Sequence, residues 1–479
     1  MKILPEMALT YDDVLLVPQY SDVESRRTLS TKSWLTKKIP LQVPIVSANM
    51  DVVTESEMAI AMAREGGIGI IHRFMTIAAQ ARQIGRVKKA ESFIVDQPLT
   101  MTESNTVGDV KRIVDQTGTG GILIVDKDER LIGIVSTRDL LFENDAKKPV
   151  TAIMSRDVHS APPNTSLKEA EKLLHQHRVE KLPLVDGDGK VVGLVTLKDI
   201  MKITQYPKAT KDSRGRLSVG AAVGVRDKEM RRVEAVLEAG ADCIVVDIAH
   251  GDSRLEIEMI KSIRKHFDEA QIIAGNVATA DGTKRLIDAG ADAVKVGVGP
   301  GSICITRIVA GSGVPQLTAV IECSEAARKY GVPIIADGGI RQPGDLAKAI
   351  AAGAQTAMVG SLLAGTDESP GLIMTRKGHR YKASRGMASL EANIDRNKRE
   401  GNDLTHEEIE EYVAEGVEAA VPYRGKAREV LTQLIGGLQS GMSYSGAHSI
   451  EEFQEKAIFV RMTGAGLKES GPHDVEVLT

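Results

Sequence analysis

The chain has 479 residues, 42% hydrophobic but only 3% aromatic, with 45 glycines and a formal net charge of −4. That length can bury a large aliphatic core in more than one domain, and the interspersed charges exclude a basic nucleic-acid face or a polybasic membrane patch. With no bilayer-long apolar run, no signal-type N-terminus and only three unpatterned cysteines (Cys243, Cys304, Cys323), the expectation is a cytoplasmic protein without disulfides, nucleic-acid partner or membrane partner.

In chain order, Ile45 and Gly69-Ile-Ile71 mark two short buried strands, each followed by a helical segment. Between residues 92 and 205 the sequence repeats itself. Gly121-Ile-Leu-Ile-Val-Asp126, Ile132-Gly-Ile-Val135 and Ser136-Thr-Arg-Asp139 return 60 residues later as Leu182-Pro-Leu-Val-Asp186, Val192-Gly-Leu-Val195 and Thr196-Leu-Lys-Asp199. The pair resembles a tandem CBS module, which implies purine-nucleotide ligands at Ser136, Asp139, Thr196 and Asp199. The same residues also suit plain helix N-capping. After the repeat come Leu217–Val223, Cys243–Asp247, Gln271–Gly275, Ala293–Gly297, Pro333–Asp337 and Thr356–Gly360, separated by amphipathic helices and Ala-Gly-Ala-Asp turns. That rhythm predicts parallel βα units. With the N-terminal strands it makes an α/β fold, a (β/α)₈ TIM barrel with an inserted tandem CBS pair. The expected divisions are 1–91 and 207–479 for the barrel, 92–148 and 149–206 for the two repeats.

Polar residues cluster where these strands end, which is where barrel enzymes build their sites. Gly297-Val-Gly-Pro-Gly-Ser-Ile-Cys-Ile-Thr306 sets a lone cysteine in a glycine-rich loop after an apolar strand. A thiol held there, with Thr306 two residues on, suits attack on an electrophilic ring carbon, while a small buried cysteine is the plain alternative. Gly338, Gly339, Gly360, Ser361 and Ser302 offer a phosphate cradle, or simply turns, and Asp337 an acceptor for ribose hydroxyls. Asp247, His250 and Asn276 follow two neighbouring strands on one rim. No Gly-x-Gly-x-x-Gly follows a strand, so no Rossmann domain is marked.

These stretches, with Leu9-Thr-Tyr-Asp-Asp-Val-Leu-Leu16, Pro44-Ile-Val-Ser-Ala-Asn-Met-Asp51, Val246-Asp-Ile-Ala-His-Gly251, Ala274-Gly-Asn-Val277, Ala336-Asp-Gly-Gly-Ile340 and Arg385-Gly-Met387, resemble the IMP dehydrogenase/GMP reductase family over nearly the whole chain. The resemblance implies that Cys304 attacks purine C2 beside Thr306 and that a hydride moves between C2 and nicotinamide, leaving a thioimidate. It places Met50, Gly386 and Met387 near the purine and Glu415 on its N1–H edge. Asp247, Asn276, His250 and Gly297 fall on the side of the cofactor, NADP(H) or NAD(H). It also implies K⁺ at the Gly299, Gly301 and Cys304 carbonyls, completed by Glu469, Ser470 and Gly471 of a neighbour, in a homotetramer able to pair into octamers.

The family has two activities that share this intermediate. A dehydrogenase hydrolyses it to XMP, whereas a reductase reaches it from GMP by losing ammonia. The chain departs from the dehydrogenase pattern in reading Ser384-Arg-Gly-Met-Ala-Ser-Leu-Glu-Ala392, and the water-activating Arg-Tyr pair is at best Arg396-Asn397. His72-Arg73-Phe74 also has a reductase flavour. Glu391 is a candidate for assisting ammonia release, or else an exposed glutamate at a helix start. GMP reductase is therefore expected ahead of IMP dehydrogenase, with a nucleotide-sensing protein lacking turnover as the third alternative.

Overall fold

The structure, a computed structural model, describes residues 3–91, 94–96, 98–198, 200–201, 206–399 and 404–472. Eight short parallel strands close into a barrel: β1 (Ile45–Ser47), β2 (Ile68–Ile71), β3 (Val219–Val223), β4 (Cys243–Asp247), β5 (Ile272–Val277), β6 (Ala293–Val296), β7 (Ile334–Asp337) and β8 (Thr356–Val359). Closure runs through β8 on β1, where Val359 pairs with Ser47, and through β2 on β3, where Ile71 pairs with Ala221. The strands are Val/Ile/Ala-rich runs because both faces are buried, one by the barrel interior and one by the helices. The expected TIM barrel is thus present, with strand limits within two residues of those read from the sequence.

Local chemistry sets the helices of the outer ring. The helix after β4, Arg254–His266, opens on Ser253, whose hydroxyl accepts the Glu256 N–H, and closes on Arg264, Lys265 and His266 beside the negative end of its dipole. The helix after β5, Ala280–Ala289, opens on Thr279 and stops at Gly290 in the left-handed region. After β8 the chain makes an excursion before the last barrel helix, Ala427–Tyr444. Strands Ile373–Arg376, His379–Arg385 and Glu418–Pro422 form an antiparallel sheet there. Helices Leu390–Arg399 and His406–Glu410 lie between the second and third of these strands, a segment called the flap below.

Chain contacts separate the barrel from a second unit, Glu91–Pro207 with Ser213–Arg216. It contains two three-stranded sheets, each with its own small core. In the first, Thr100–Thr102 runs parallel to Gly121–Val125, which pairs antiparallel with Leu131–Ser136. In the second, Lys181–Val185 and Val191–Thr196 repeat the hairpin, and Ile94–Asp96 pairs with the latter strand. The expected cut at 148/149 therefore does not divide two self-contained repeats. Strand Ile94–Asp96 from the first stretch completes the second sheet, while Val150 and Met154 from the second stretch pack in the first core. Apolar burial, not sequence period, sets the crossover. Among the described residues no helix is long and apolar enough to cross a membrane.

Candidate active site

At the C-terminal ends of β4 to β7, three polar side chains meet around one buried cation. Lys295 Nζ donates to Asp247 Oδ1 at 3.0 Å, to Asp337 Oδ2 at 2.9 Å and to Asn276 Oδ1. Asn276 in turn donates to Asp337 Oδ2 at 2.9 Å and to the Gly297 carbonyl at 2.7 Å. Burial alone would push the Lys295 pKa down, but the two carboxylates outweigh it and hold the ammonium charged. Burial likewise pushes Asp247 up, and the charges of Lys295 and Arg73 reverse this and keep its carboxyl below the ordinary range. The result is a rigid, charged floor. Lys295 was not singled out in the sequence, although a lysine inside Ala-Val-Lys-Val is the signal, because a charge on a buried strand needs partners.

The loop after β6 leaves the floor through Gly297, where φ is +152° and a β-carbon would lie 2.1 Å from the Asp337 carbonyl oxygen, so no side chain fits. It carries Cys304, whose Sγ lies 3.2 Å from Thr306 Oγ1, and that hydroxyl donates to Glu415 Oε2 at 2.7 Å. With the Thr306 proton directed at the carboxylate, its oxygen is the acceptor left for the thiol. The strand-like pairing of Cys304 with Gly416 holds this line, with Ile305 N–H on the Glu415 carbonyl at 2.9 Å and Val417 N–H on the Ile303 carbonyl at 3.1 Å. The other thiols are buried, and burial pushes Cys243 well up and Cys323 to about 12. Cys304 faces a cavity of about 440 Å³.

That cavity gathers most of the expected site. Met50, Asp247, Asn276, Gly297, Gly299, Gly301, Thr306, Asp337, Gly386, Met387, Arg396 and Glu415 all line it with Cys304. Other expected residues stand apart. Gly338 packs on the adjoining loop, where a β-carbon would meet Pro300 Cγ at 2.8 Å, and Gly360 sits behind Met50. Gly339, Ser361 and the exposed Ser302 are near neighbours in sequence rather than cavity lining. His250 is exposed outside the cavity, and so is Glu391, in the first turn of its helix. Glu469, Ser470 and Gly471 end the exposed helix Gly464–Glu469 and do not line the cavity. In the second unit, Ser136 and Asp139 close on each other as a capping box, with Ser136 Oγ donating to Asp139 Oδ2 at 2.7 Å. Thr196 ends its strand, and Asp199 lies outside the described residues.

The flap closes the cavity from the other side. Arg385 donates to Asp51 Oδ2 at 2.5 Å and to Asp395 Oδ2 at 2.7 Å, tying helix Leu390–Arg399 to the loop after β1. Arg396 faces the cavity, with its guanidinium carbon 6.0 Å from the centre of the Phe74 ring. Asn397 is turned onto its own helix, donating to the Asn393 carbonyl at 2.9 Å. Two further residues of the cavity wall, Arg73 and Tyr412, were not expected there. Tyr412 Oη donates to the Ala388 carbonyl at 3.3 Å, and burial raises its pKa against the opposing charge of Arg396. Its sequence surroundings, a polar Glu-Glu-Tyr-Val-Ala-Glu run, carry no periodic signal.

Comparison with known proteins agrees with this geometry. A family model described as the IMP dehydrogenase / GMP reductase domain matches residues 8–473. The chain is 52% identical over 468 residues to an inosine-5′-monophosphate dehydrogenase of Nitrosopumilus maritimus (strain SCM1), covering 98% of each chain. It is 48% identical over 485 residues to a GMP reductase of Leishmania donovani, covering 99% of this chain and 98% of that protein. Its structure resembles that of a cysteine-to-alanine variant of GMP reductase from Trypanosoma brucei in complex with guanosine 5′-monophosphate, with a TM-score of 0.87, 47% identity and 98% of both chains covered. The chain belongs to the IMP dehydrogenase/GMP reductase family of oxidoreductases.

Proposed function

We propose that the chain reduces GMP to IMP with NADPH and releases ammonia. The observation that carries this reading is the line Cys304–Thr306–Glu415, set beneath a flap whose Arg396 is followed by an asparagine turned away into its helix. The thiol proton passes through the Thr306 hydroxyl to Glu415 as sulfur bonds to purine C2. The same line then returns that proton to the departing 2-amino group, which leaves as ammonia, and Cys304 is left in a thioimidate. NADPH, when bound, would supply a hydride to C2, on which Cys304 would leave as the thiolate and C2 become that of IMP. Asp247 and Asn276, held by Lys295, with Ile248 and Val298 as apolar wall, suit a nicotinamide riboside. Asp337 takes the substrate ribose, Met50 and Met387 the purine, and the Gly338–Gly339 and Gly360–Ser361 turns its phosphate.

A second reading, oxidation of IMP to XMP with NAD, is favoured by one observation: Tyr412 and Arg396 line the cavity together, so a phenol and a guanidinium are both at hand for a water. The K⁺ site belongs to either reading. The Gly301 carbonyl already accepts the Cys304 N–H at 3.1 Å, which leaves a lone pair for the ion. Glu469, Ser470 and Gly471 have to come from a second copy in a tetramer. In the second unit, a regulatory purine nucleotide has to displace the internal Ser136–Asp139 bond to be held there, with Thr196 and Asp199 as the equivalent pair. The deciding measurement is cofactor absorbance with GMP plus NADPH and, separately, IMP plus NAD. Faster consumption with GMP is expected, and XMP formation without GMP reduction overturns the reductase reading in favour of the second.

A further inference from the structure

The loop that carries Cys304 and Thr306 leaves β6 through Gly297-Val298 and reaches the next helix, Gln316–Arg328, through Val314. Apolar burial does little to fix it. Its short helix, Thr306–Val309, contains no buried residue, and Ile308 is 83% exposed. On one side the loop is tied to the Glu415–Val417 segment by the Ile305 and Val417 backbone bonds. At its base the tie is a single side chain.

Arg307 turns back across the loop it belongs to. Its Nε–H donates to the Val298 carbonyl at 3.2 Å and an Nη2–H to the Val314 carbonyl at 2.5 Å, so one guanidinium joins the two ends of the loop. Two glycines, one near each end, make room for it. A β-carbon on Gly299 would lie 2.5 Å from Arg307 Cγ, and one on Gly313 would lie 2.8 Å from the same atom. Their φ values are +82° and +154°, a region that glycine enters without strain. Among the described residues Arg307 forms no ion pair, and both of its hydrogen bonds go to these carbonyls. A planar fork can serve two acceptors at once, whereas a lysine ammonium is a point donor.

We propose that Arg307 is a positioning residue for the reaction, closing the loop at its base and so holding Cys304 and Thr306 at the cavity. The link is direct, because Arg307 follows Thr306 in the chain. A released guanidinium lets the Thr306 hydroxyl shift, and with it the 3.2 Å approach to Cys304 Sγ and the 2.7 Å bond to Glu415 Oε2. A misplacement of about 1 Å in a reacting group costs on the order of a hundredfold in rate. The assignment rests on the reading of Cys304 as the nucleophile and names what keeps that nucleophile in place.

The test uses the full chain with Arg307→Ala and Arg307→Lys. In the alanine variant kcat is expected to fall by about 100-fold, while calorimetric GMP affinity and the melting temperature stay close to those of wild type. Binding is spared because Met50, Asp337 and Met387, the residues given to the purine and its ribose, lie outside the loop. The lysine variant keeps the charge without the fork and should fall between the two. A kcat within about threefold of wild type in Arg307→Ala overturns the proposal. So does a lower kcat that comes with matching losses of GMP affinity and melting temperature, which is a damaged fold rather than a displaced loop. Should Arg307→Ala fail to fold, Arg307→Lys decides on the same criteria. If wild type turns over neither GMP nor IMP, the functional reading fails instead, and amide exchange across Val298–Val314 still tests the tie. Faster exchange in the variants supports it, and unchanged exchange overturns it.

Discussion

The two sides of the active cavity use the same kind of bond to opposite effect. On the floor, Lys295 is 3% exposed and bridges Asp247 and Asp337, whose side chains are 24% and 21% exposed. At the start of the flap, Arg385, itself 16% exposed, bridges Asp51, which is 6% exposed, and Asp395 on the flap helix, which is 44% exposed. A buried cation between two carboxylates cannot lose a partner cheaply, while a bridge that reaches into water is worth little and breaks readily. Of these bonds the floor pairs are the costlier to break and the Arg385–Asp395 arm the cheaper.

Removing Cys304 severs the point where floor and flap meet. Cys304→Ala is expected to lower turnover at least about a thousandfold while GMP binding survives, because only the covalent step is lost. Steady-state rates beside calorimetry check this, and activity within tenfold of wild type sinks the nucleophile assignment. Breaking the floor should cost stability. Lys295→Met leaves two half-buried carboxylates without their shared cation and is expected to destabilise the fold by about 3–5 kcal/mol in denaturant titrations. A loss below about 1 kcal/mol would show that the floor is no stiffer than the flap.

A gentler probe lies beneath the floor. Glu256 accepts the Gly275 N–H at 2.8 Å, and burial holds its carboxyl protonated well above the usual 4.5. The folded state thus keeps a proton that the unfolded chain releases. Stability from this group is fully present below the ordinary glutamate value and falls as pH rises above it, by up to about 1.4 kcal/mol per pH unit. Glu256→Gln lacks that slope, so its stability relative to wild type should grow with pH, and parallel curves would refute protonated Glu256. Asp395→Ala, on the flap, should cost only about 0.2–1 kcal/mol and leave the melting temperature nearly unmoved. Its signature should be a changed kcat, read in the same assay as the wild type. A large thermal shift would mean that the flap is structural.

The floor was largely legible in the sequence and the flap was not. Strand Cys243–Asp247 appears with the limits its Val/Ile run suggested, and Asp247, Asn276 and Asp337 sit where a barrel strand hands over to its loop. Lys295 has only a faint signature, a single charge inside the apolar run Ala293–Val296. Around the flap the residues are polar and aperiodic. Nothing local indicates that Tyr412 reaches the cavity or that Asn397 bonds back to its own helix, whereas Arg396 is among the expected site residues and an exposed Glu391 among the alternatives. Those positions follow from tertiary contacts at long range. The repeat was legible as a repeat, but strand Ile94–Asp96 crossing into the second sheet has no sequence signature.

The pairing of Cys304 with Gly416 also bears on time. The Thr306 hydroxyl beside the thiol donates to a carboxylate 109 residues further along the chain. Contacts that distant form late, because loop closure must come first, and a nascent chain folds from its N-terminal end. A growing polypeptide can therefore lay down most of the barrel while its thiol still lacks an acceptor line. The Thr306–Glu415 bond forms only once the ribosome has delivered the segment around Glu415, so a chain terminated before it lacks that bond.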